Sequence, residues 1–352
     1  MVAKRKNVSV ADLAAREHAG KTAALKERVL QADERIRRQS ESIATLQKLV
    51  AEYENMLSMV DEVDGKVKPM AVRPLAKNAA GEAVAMGVFS DAHMFETVFK
   101  TQVSGLNAYD KSIARASCEE FFRACLKWTN IHRAGVAVPQ FVLALLGDIM
   151  TNQLHLDHLE TNAGTPQEEL LFCLEILNGG IDFLLREGKF EKLTVVCCDG
   201  NHGRATEKLQ IKNRSKHSHE WLLYQMMARM YNNDERVEFV IADGMHVYLP
   251  VFDKIVRFCH GDAFKYEGGV GGLTIPVRKA INEWNKAKWA DLDVFGHWHT
   301  RIFDGQFISN GSVMGYSEFS VARRLSFEPP QQSFALLDKR RWVTSLNPIY
   351  VR

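Results

Sequence analysis

No stretch of this 352-residue chain approaches the roughly 20 consecutive apolar residues that a membrane-spanning helix needs. The basic residues of the N-terminal MVAKRKNVSVADLAAREHAG lead into no apolar stretch, so neither a secretory signal nor a membrane anchor is expected and the chain reads as cytoplasmic. An excess of one charge is also missing. Lys and Arg number 45 against 43 Asp and Glu, a formal net charge of +2, which excludes a globally polybasic nucleic-acid binder and leaves only local patches to argue from. The six cysteines (Cys118, Cys125, Cys173, Cys197, Cys198, Cys259) show no paired CxxC spacing and lie in apolar runs. That pattern is expected of buried reduced thiols and argues against a disulfide scaffold or a thiolate metal site. No GxGxxG follows a candidate strand: the glycine-rich GDAFKYEGGVGGLTIP is a flexible lip or a tight turn, not a dinucleotide fingerprint.

What is present begins with a seam. Val29, Ile36, Ile43, Val50 and Leu57 recur every seventh residue, and Leu25, Ala32, Gln39, Leu46, Tyr53 and Val60 fill the second position of the same heptad, uninterrupted by Pro or Gly. So narrow a stripe belongs to a coiled coil, and β-branched residues at four of the five first positions favour a parallel dimer. Self-association through residues 25–60 is therefore expected, with Gln39 fixing register. The alternative is a long helix folded back on its own catalytic domain. Residues 63–82 lose the periodicity and carry Pro and Gly, which reads as a linker. The organisation expected is residues 1–62 as N-terminal helix, 63–82 as linker and 83–352 as catalytic domain.

From Ala83 onward, short apolar runs alternate with helical stretches. The candidate strands are AVAMGVF, QFVLALLG, KLTVVCC, VEFVIA, HVYLPV, KIVRFCH, LDVFG, GQFISN, QSFALLD and WVTSLNPI. Helices separate the early strands and the later ones lie close together, which predicts a layered α/β domain whose second half is largely antiparallel.

Five short motifs stand at strand ends: SDAH with Asp91 and His93, LLGDIMTN with Asp148, CDGNHGR with Asn201 and His202, FCHGD with His260, and FGHWH with His297 and His299. The carboxyl ends of neighbouring strands in an open sheet converge on one crevice. Two aspartates, one asparagine and four ligand-type histidines would meet there, with His202 beside them. Carboxylates packed together out of water need positive charge, and a pair of divalent cations supplies it. Mixed O and N donors suit Mn²⁺, Fe or Zn²⁺ better than Ca²⁺.

In order and spacing these motifs resemble the DxH, GD, GNH[E/D], H and GHxH pattern of the calcineurin-like metallophosphoesterases, over roughly residues 84–315. The strings GNHGR, WLLYQMMARMY, HGDAF, FGHWH, NGSVMGY and FEPPQQ are similar in texture to phage and prophage members of that group. The resemblance implies an αββα sandwich holding two divalent metal ions, with Mn²⁺ favoured and Fe, Zn²⁺ or Mg²⁺ possible. It assigns Asp91, His93, Asp148 and His299 to one ion, and Asp148, Asn201, His260 and His297 to the other. It makes His202 the acid/base group facing the phosphate. The sequence departs from the family at Gly203, where an acid is usual, and Asp199 is the nearest substitute.

Directly after GNH lies GRATEKLQIKNRSKHSHEW. Arg204 is expected to hold the substrate phosphate, with Lys208, Lys212, Arg214 and Lys216 contacting a polyanion. Tyr266 is expected to stack on a base and Trp298 to pack, while His155, His158, His217 and His219 are expected at the surface. The function that follows is metal-dependent hydrolysis of phosphodiesters in DNA or RNA by attack of an activated water. The alternatives are a phosphatase for phosphoproteins or small esters, and a catalytically degenerate binding protein assembled through the coiled coil.

Overall fold

The computed structural model describes residues 9–64, 81–265 and 272–352, excepting the side chains of 60–64. The chain divides into two compact units, Met1–Leu75 and Ala76–Arg352. Most of the expected linker, and Tyr266, fall outside the described residues. In the first unit a single helix, α1 (Val10–Asp64), runs for 55 residues. No described helix is long and apolar enough to cross a membrane.

The second unit runs in the order β1 (Glu82–Phe89), α2 (Lys111–Arg133), β2 (Ala137–Leu145), α3 (Leu156–Thr161), α4 (Pro166–Gly188), β3 (Lys192–Cys197), α5 (His219–Met230), β4 (Val237–Ile241), β5 (Val247–Val251), β6 (Lys254–Phe258), α6 (Thr274–Ala287), β7 (Leu292–Phe295), β8 (Ile302–Phe303), β9 (Phe307–Ser309), α7 (Glu318–Arg323), β10 (Gln331–Asp338) and β11 (Trp342–Tyr350). The strands form a six-stranded sheet ordered β11-β10-β1-β2-β3-β4 and a five-stranded sheet ordered β5-β6-β7-β9-β8. In the first sheet β1 to β4 are parallel, and the hairpin β10–β11 adds antiparallel to β1.

Three apolar layers follow from this. Alternate side chains of β1 and β2 face opposite ways. Ala85, Phe89, Phe141 and Leu143 pack with Phe121, Phe122, Leu177 and Leu184 of α2 and α4. Val84, Met86, Val142 and Ala144 pack with Val256, Phe258 and Val294 of the second sheet. On the far side of that sheet Phe295 and Phe307 meet Val277 and Ile281 of α6. The result is the expected αββα sandwich. Helix ends are fixed locally: Asp110 accepts from the backbone N–H of Ser112 and Ile113 at the start of α2, and Thr165 with Glu168 forms a capping box before Pro166 at the start of α4.

The expectation of a largely antiparallel second half holds for β5–β6, β8–β9, β10–β11 and β1–β10, but not for the core of the second sheet. β6, β7 and β9 are parallel at the heart of the second sheet, with antiparallel pairs only at its edges. The helix α6 between β6 and β7 is long enough to carry the chain back to the same end of the sheet, as a parallel crossover requires. All six cysteines are buried and unpaired.

Candidate metal centre

Five parallel strands, β1, β2 and β3 of one sheet and β6 and β7 of the other, end in the five motif loops. The loops are tightly laced. Asp91 N–H donates to Gly147 O (3.0 Å), His93 N–H to Asp148 O (3.0 Å) and Met94 N–H to Ile149 O (3.1 Å), so the first loop lies along the second. Gly147 and Gly200 allow the second and third loops to touch: a Cβ on Gly147 would lie 2.3 Å from Gly200 N, and one on Gly200 would lie 2.1 Å from Asp148 Oδ1. Asp91, His93, Asp148, His297 and His299 all adopt left-handed backbone conformations, with φ of 53°, 44°, 50°, 68° and 51°. Each such residue costs about 1–2 kcal/mol, and clusters of them persist where surrounding structure over-determines them, characteristically at functional sites.

Six of the seven expected ligands fall into two groups, Asp91–His93–His299 and Asp148–His260–His297, whose candidate ligand atoms lie within 4.8 Å of one another in each group. Asn201 joins the second, its Oδ1 3.0 Å from His260 Nε2. That same nitrogen lies 3.1 Å from Asp148 Oδ2 and 3.2 Å from His297 Nδ1. His260 Nδ1 donates to Leu146 O at 2.7 Å, because a carbonyl can only accept. A neutral ring would therefore turn its Nε2 lone pair toward three other electron-rich atoms, an arrangement relieved by a proton or a metal cation at that position. The protonation preferences show the same demand for positive charge. Burial pulls His260 down, but the Asp148 carboxylate more than offsets it and lifts the ring to about 10. Burial and His260 push His297 down to about 4. In the other group, burial and the neighbouring His202 hold His93 well below the usual imidazole range, and its Nε2 is buried without a hydrogen-bond partner. His299 Nε2 stands 3.5 Å from Asp91 Oδ1. An orphaned neutral imidazole, two buried carboxylates and three further histidines fit a pair of divalent ions.

His202 sits edge-on to His93, ring centroids 4.7 Å apart. Its backbone N–H donates to Asp148 Oδ1 at 2.7 Å and its Nδ1 to Thr151 O at 3.1 Å, which leaves Nε2 as the ring atom open to a ligand. Arg204 Nη1 donates to the Asn201 carbonyl at 2.5 Å, so a guanidinium is docked against the same loop.

Two expectations for this loop are overturned. Arg214 is not a substrate contact: its Nε donates to Asp199 Oδ2 at 2.9 Å and its Nη1 to Asp262 Oδ2 at 2.7 Å, and only 11% of its side chain is exposed. The guanidinium is clamped between two carboxylates, with Nη2 also donating to Asp199 O at 3.0 Å, so its charge is already matched within the protein. Asp199 in turn is consumed by Arg214 and by Ser215 Oγ (2.6 Å), so it does not replace the missing acid at 203. Lys208 and Lys212 are exposed, and Lys216 is exposed with Asp243 3.6 Å away. Trp298 packs, its Nε1 donating to Gly261 O at 3.2 Å. His155 and His158 stand closer to the centre than expected, 6.0 and 5.6 Å from the His202 ring.

The carboxylate that Gly203 lacks comes from α5. Glu220, fully buried, accepts from the N–H groups of Ile149 (2.6 Å) and Met150 (3.2 Å) on Oε1 and of Gly200 (2.6 Å) on Oε2, binding the second loop to the third. Burial and the nearby Asp148 push it up to about 8, against the pull of the Gly200 N–H. Glu169 of α4 does the same between the first and second loops, accepting from Phe95, Thr151 and Asn152. Asn152 Nδ2 donates to the carbonyls of both His202 and Arg204 at 2.8 Å. A signal for the two glutamates existed: Glu220 shares the buried face with Leu223, Tyr224 and Met227, and Glu169 with Phe172, Cys173 and Ile176, so each apolar stripe opens on an acid.

No protein-family model and no curated protein matches the sequence. Among solved structures, a predicted phosphoesterase from Streptococcus pneumoniae is similar at 11% identity and a TM-score of 0.30 over 75% of this chain and 95% of that one. Vps29 from Chaetomium thermophilum is similar at 10% and 0.30, over 76% and 97%. The sulfate thiohydrolase SoxB from Thermus thermophilus is similar at 9% and 0.30, over 79% and 57%. In architecture the chain is a two-sheet αββα sandwich of the kind the calcineurin-like resemblance implies, with two groups of metal-type ligands at the ends of its parallel strands.

Proposed function

We propose that this chain is a two-metal phosphoesterase that hydrolyses phosphodiesters of nucleic acid. The observation that carries the metal chemistry is the pairing of Asp91–His93–His299 with Asp148–His260–His297, including one buried imidazole nitrogen that has no partner. Asp91, His93 and His299 would hold one ion and Asn201, His260 and His297 the other, with Asp148 shared between them. When bound, the ions supply Lewis-acid polarisation of the phosphoryl group and a water acidic enough to attack near neutral pH.

The protein's own groups do the rest. Thr151 O fixes the His202 ring through Nδ1, so Nε2 can take up a proton and deliver it to the leaving oxygen. Because Nδ1 stays a donor in both protonation states, the ring need not turn between them. Arg204 places a permanent cation one loop turn from Asn201 and suits bidentate contact with a phosphate oxygen pair. Glu220, Glu169 and Asn152 hold the loops that carry these groups, so the site is organised before substrate arrives.

Support for a nucleic-acid substrate lies in the exposed lysines 208, 212 and 216, which follow the His202 loop and would meet successive backbone phosphates. A leaving alkoxide, which departs poorly without a proton, also matches the presence of His202. The test compares bis-p-nitrophenyl phosphate, p-nitrophenyl phosphate and linear single- and double-stranded DNA with Mn²⁺. Diester and DNA hydrolysis is expected, with DNA cleavage weakened by salt and by Lys208→Ala/Lys212→Ala/Lys216→Ala. Turnover of the monoester alone would make the chain a phosphatase.

A further inference from the structure

The long helix α1 exposes the apolar seam among its described side chains. Val29, Ile36, Ile43, Val50 and Leu57 are 54–62% exposed, and Leu25, Leu46 and Tyr53 are 60–63% exposed. A stripe of branched and aromatic side chains from Leu25 to Leu57 of this 55-residue helix is costly in water unless it is covered. The geometry points to one occupant, which is a second copy of the same helix, parallel and in register.

Three features select that occupant. The first is the shape of the seam. Four of the five first heptad positions are β-branched (Val29, Ile36, Ile43, Val50, with Leu57), whereas of the six second positions only the last, Val60, is. That asymmetry favours two parallel strands. The second is Gln39, which lies in the seam between Ile36 and Ile43. In a parallel, in-register pair the two Gln39 amides face each other, and each can donate to the other. In the antiparallel pairing that sets Val29 opposite Tyr53 and Leu57 opposite Leu25, Gln39 lands on Ile43 and both its amide groups lose their partners. The third is charge. Arg28 and Asp33 occupy the flanking positions that meet across a parallel seam, five residues apart, and the two-fold axis makes that pair twice. Among the described residues neither has an ion-pair partner in its own chain, unlike Lys21, paired with Glu17 at 2.6 Å, and Arg37, paired with Glu41 at 3.1 Å.

A parallel pair has a consequence that an antiparallel one lacks: the chain runs on toward both catalytic units from the same end of the coiled coil. Two sites tethered at one end can engage one polyanionic chain together, and the second contact then forms at an effective concentration set by the tether.

The experiment uses the full chain. Light scattering is expected to give twice the 39.8 kDa chain mass, and Ile36→Lys/Ile43→Lys is expected to halve it without changing metal content. A monomeric or trimeric wild-type particle would overturn the proposal. Orientation is read by mild oxidation of Leu57→Cys, since all six native cysteines are buried. A disulfide-linked dimer is expected. No crosslink from Leu57→Cys alone, but a crosslink when Leu57→Cys and Leu25→Cys chains are mixed, would establish the antiparallel arrangement and refute this one. Asp33→Arg is expected to loosen the dimer about fivefold, and Arg28→Asp/Asp33→Arg to restore it. No change in either would remove the charge argument.

Discussion

Gly203→Ala probes the scaffold of the centre with one methyl group. A Cβ at 203 would lie 2.7 and 2.8 Å from Cγ and Cδ of Glu220 and 2.8 Å from Ser218 Oγ. Position 203 is not among the glycines with positive φ, so alanine is acceptable to the backbone and the effect is steric alone. Neither neighbour can yield cheaply. Ser218 Oγ accepts from Glu220 N–H at 3.2 Å at the start of α5, and the Glu220 carboxylate is held by the N–H groups of Ile149, Met150 and Gly200. Withdrawal of the carboxylate far enough to clear the methyl breaks at least one of the two 2.6 Å contacts. Each such hydrogen bond is worth about 0.5–1.5 kcal/mol, and a backbone N–H left buried without a partner costs about 1–3 kcal/mol, so a stability loss of about 2–4 kcal/mol is expected once the 3.2 Å contact weakens as well. Gly200 and Ile149 flank Asn201 and Asp148, and a shift of about 1 Å there is expected to cost about 100-fold in turnover. Urea unfolding, metal content and diester hydrolysis on the same preparation read all three effects. Glu220→Gln serves as the companion: it keeps the volume but sets an amide NH₂ against one backbone N–H. Wild-type stability and activity in Gly203→Ala would refute the claim that Glu220 stands in for the missing acid at 203.

Asp148→Asn is expected to weaken binding of both ions and to be the most damaging single ligand change, at least about 100-fold in diester turnover; metal analysis of the dialysed protein checks it. His202→Ala is expected to retain both ions yet lose about 10²–10⁴-fold in rate, more on DNA than on p-nitrophenyl esters; loss of an ion would make it a ligand instead. Deletion of residues 1–62 is expected to leave a folded, metal-binding enzyme of lower mass per particle in light scattering. His246, half-buried against Trp284 and near Arg257, is held down to about 4 by burial and then by that guanidinium. Its folded value lies below its unfolded one, so the unfolded chain binds the proton first. The stability it contributes is present above about pH 6.5 and is lost as pH falls toward 4. His246→Phe is expected to flatten that limb of a plot of thermal midpoint against pH.

The two candidate ligand groups were legible because their residues stand at strand ends, where a short polar motif interrupts an apolar run and can be read locally. Strands such as AVAMGVF and KLTVVCC, and the helix beginning at Pro166 behind Thr165, announced themselves by runs and caps in the same way. What stayed hidden was long-range. Arg214 and Lys212 look alike in a basic run, and only the fold shows that Asp199 and Asp262 close around one and leave the other exposed. Glu220 resembles any acid in the first turn of a helix; its burial depends on Gly203 leaving room for it. The parallel core of the second sheet depended on reading α6 as a crossover. The short helices α3 and α7 are six residues each, too brief for periodicity to mark. His155 beside α3 therefore read as an ordinary surface histidine.

The central claim is that two cations complete the ligand set around Asp148, and titration of metal-stripped protein with Mn²⁺ tests it most directly. Stripped protein is expected to be inactive on bis-p-nitrophenyl phosphate, and activity is expected to return as two equivalents bind per chain. Full activity in the stripped protein, or saturation of both binding and activity at a single equivalent, would contradict the account.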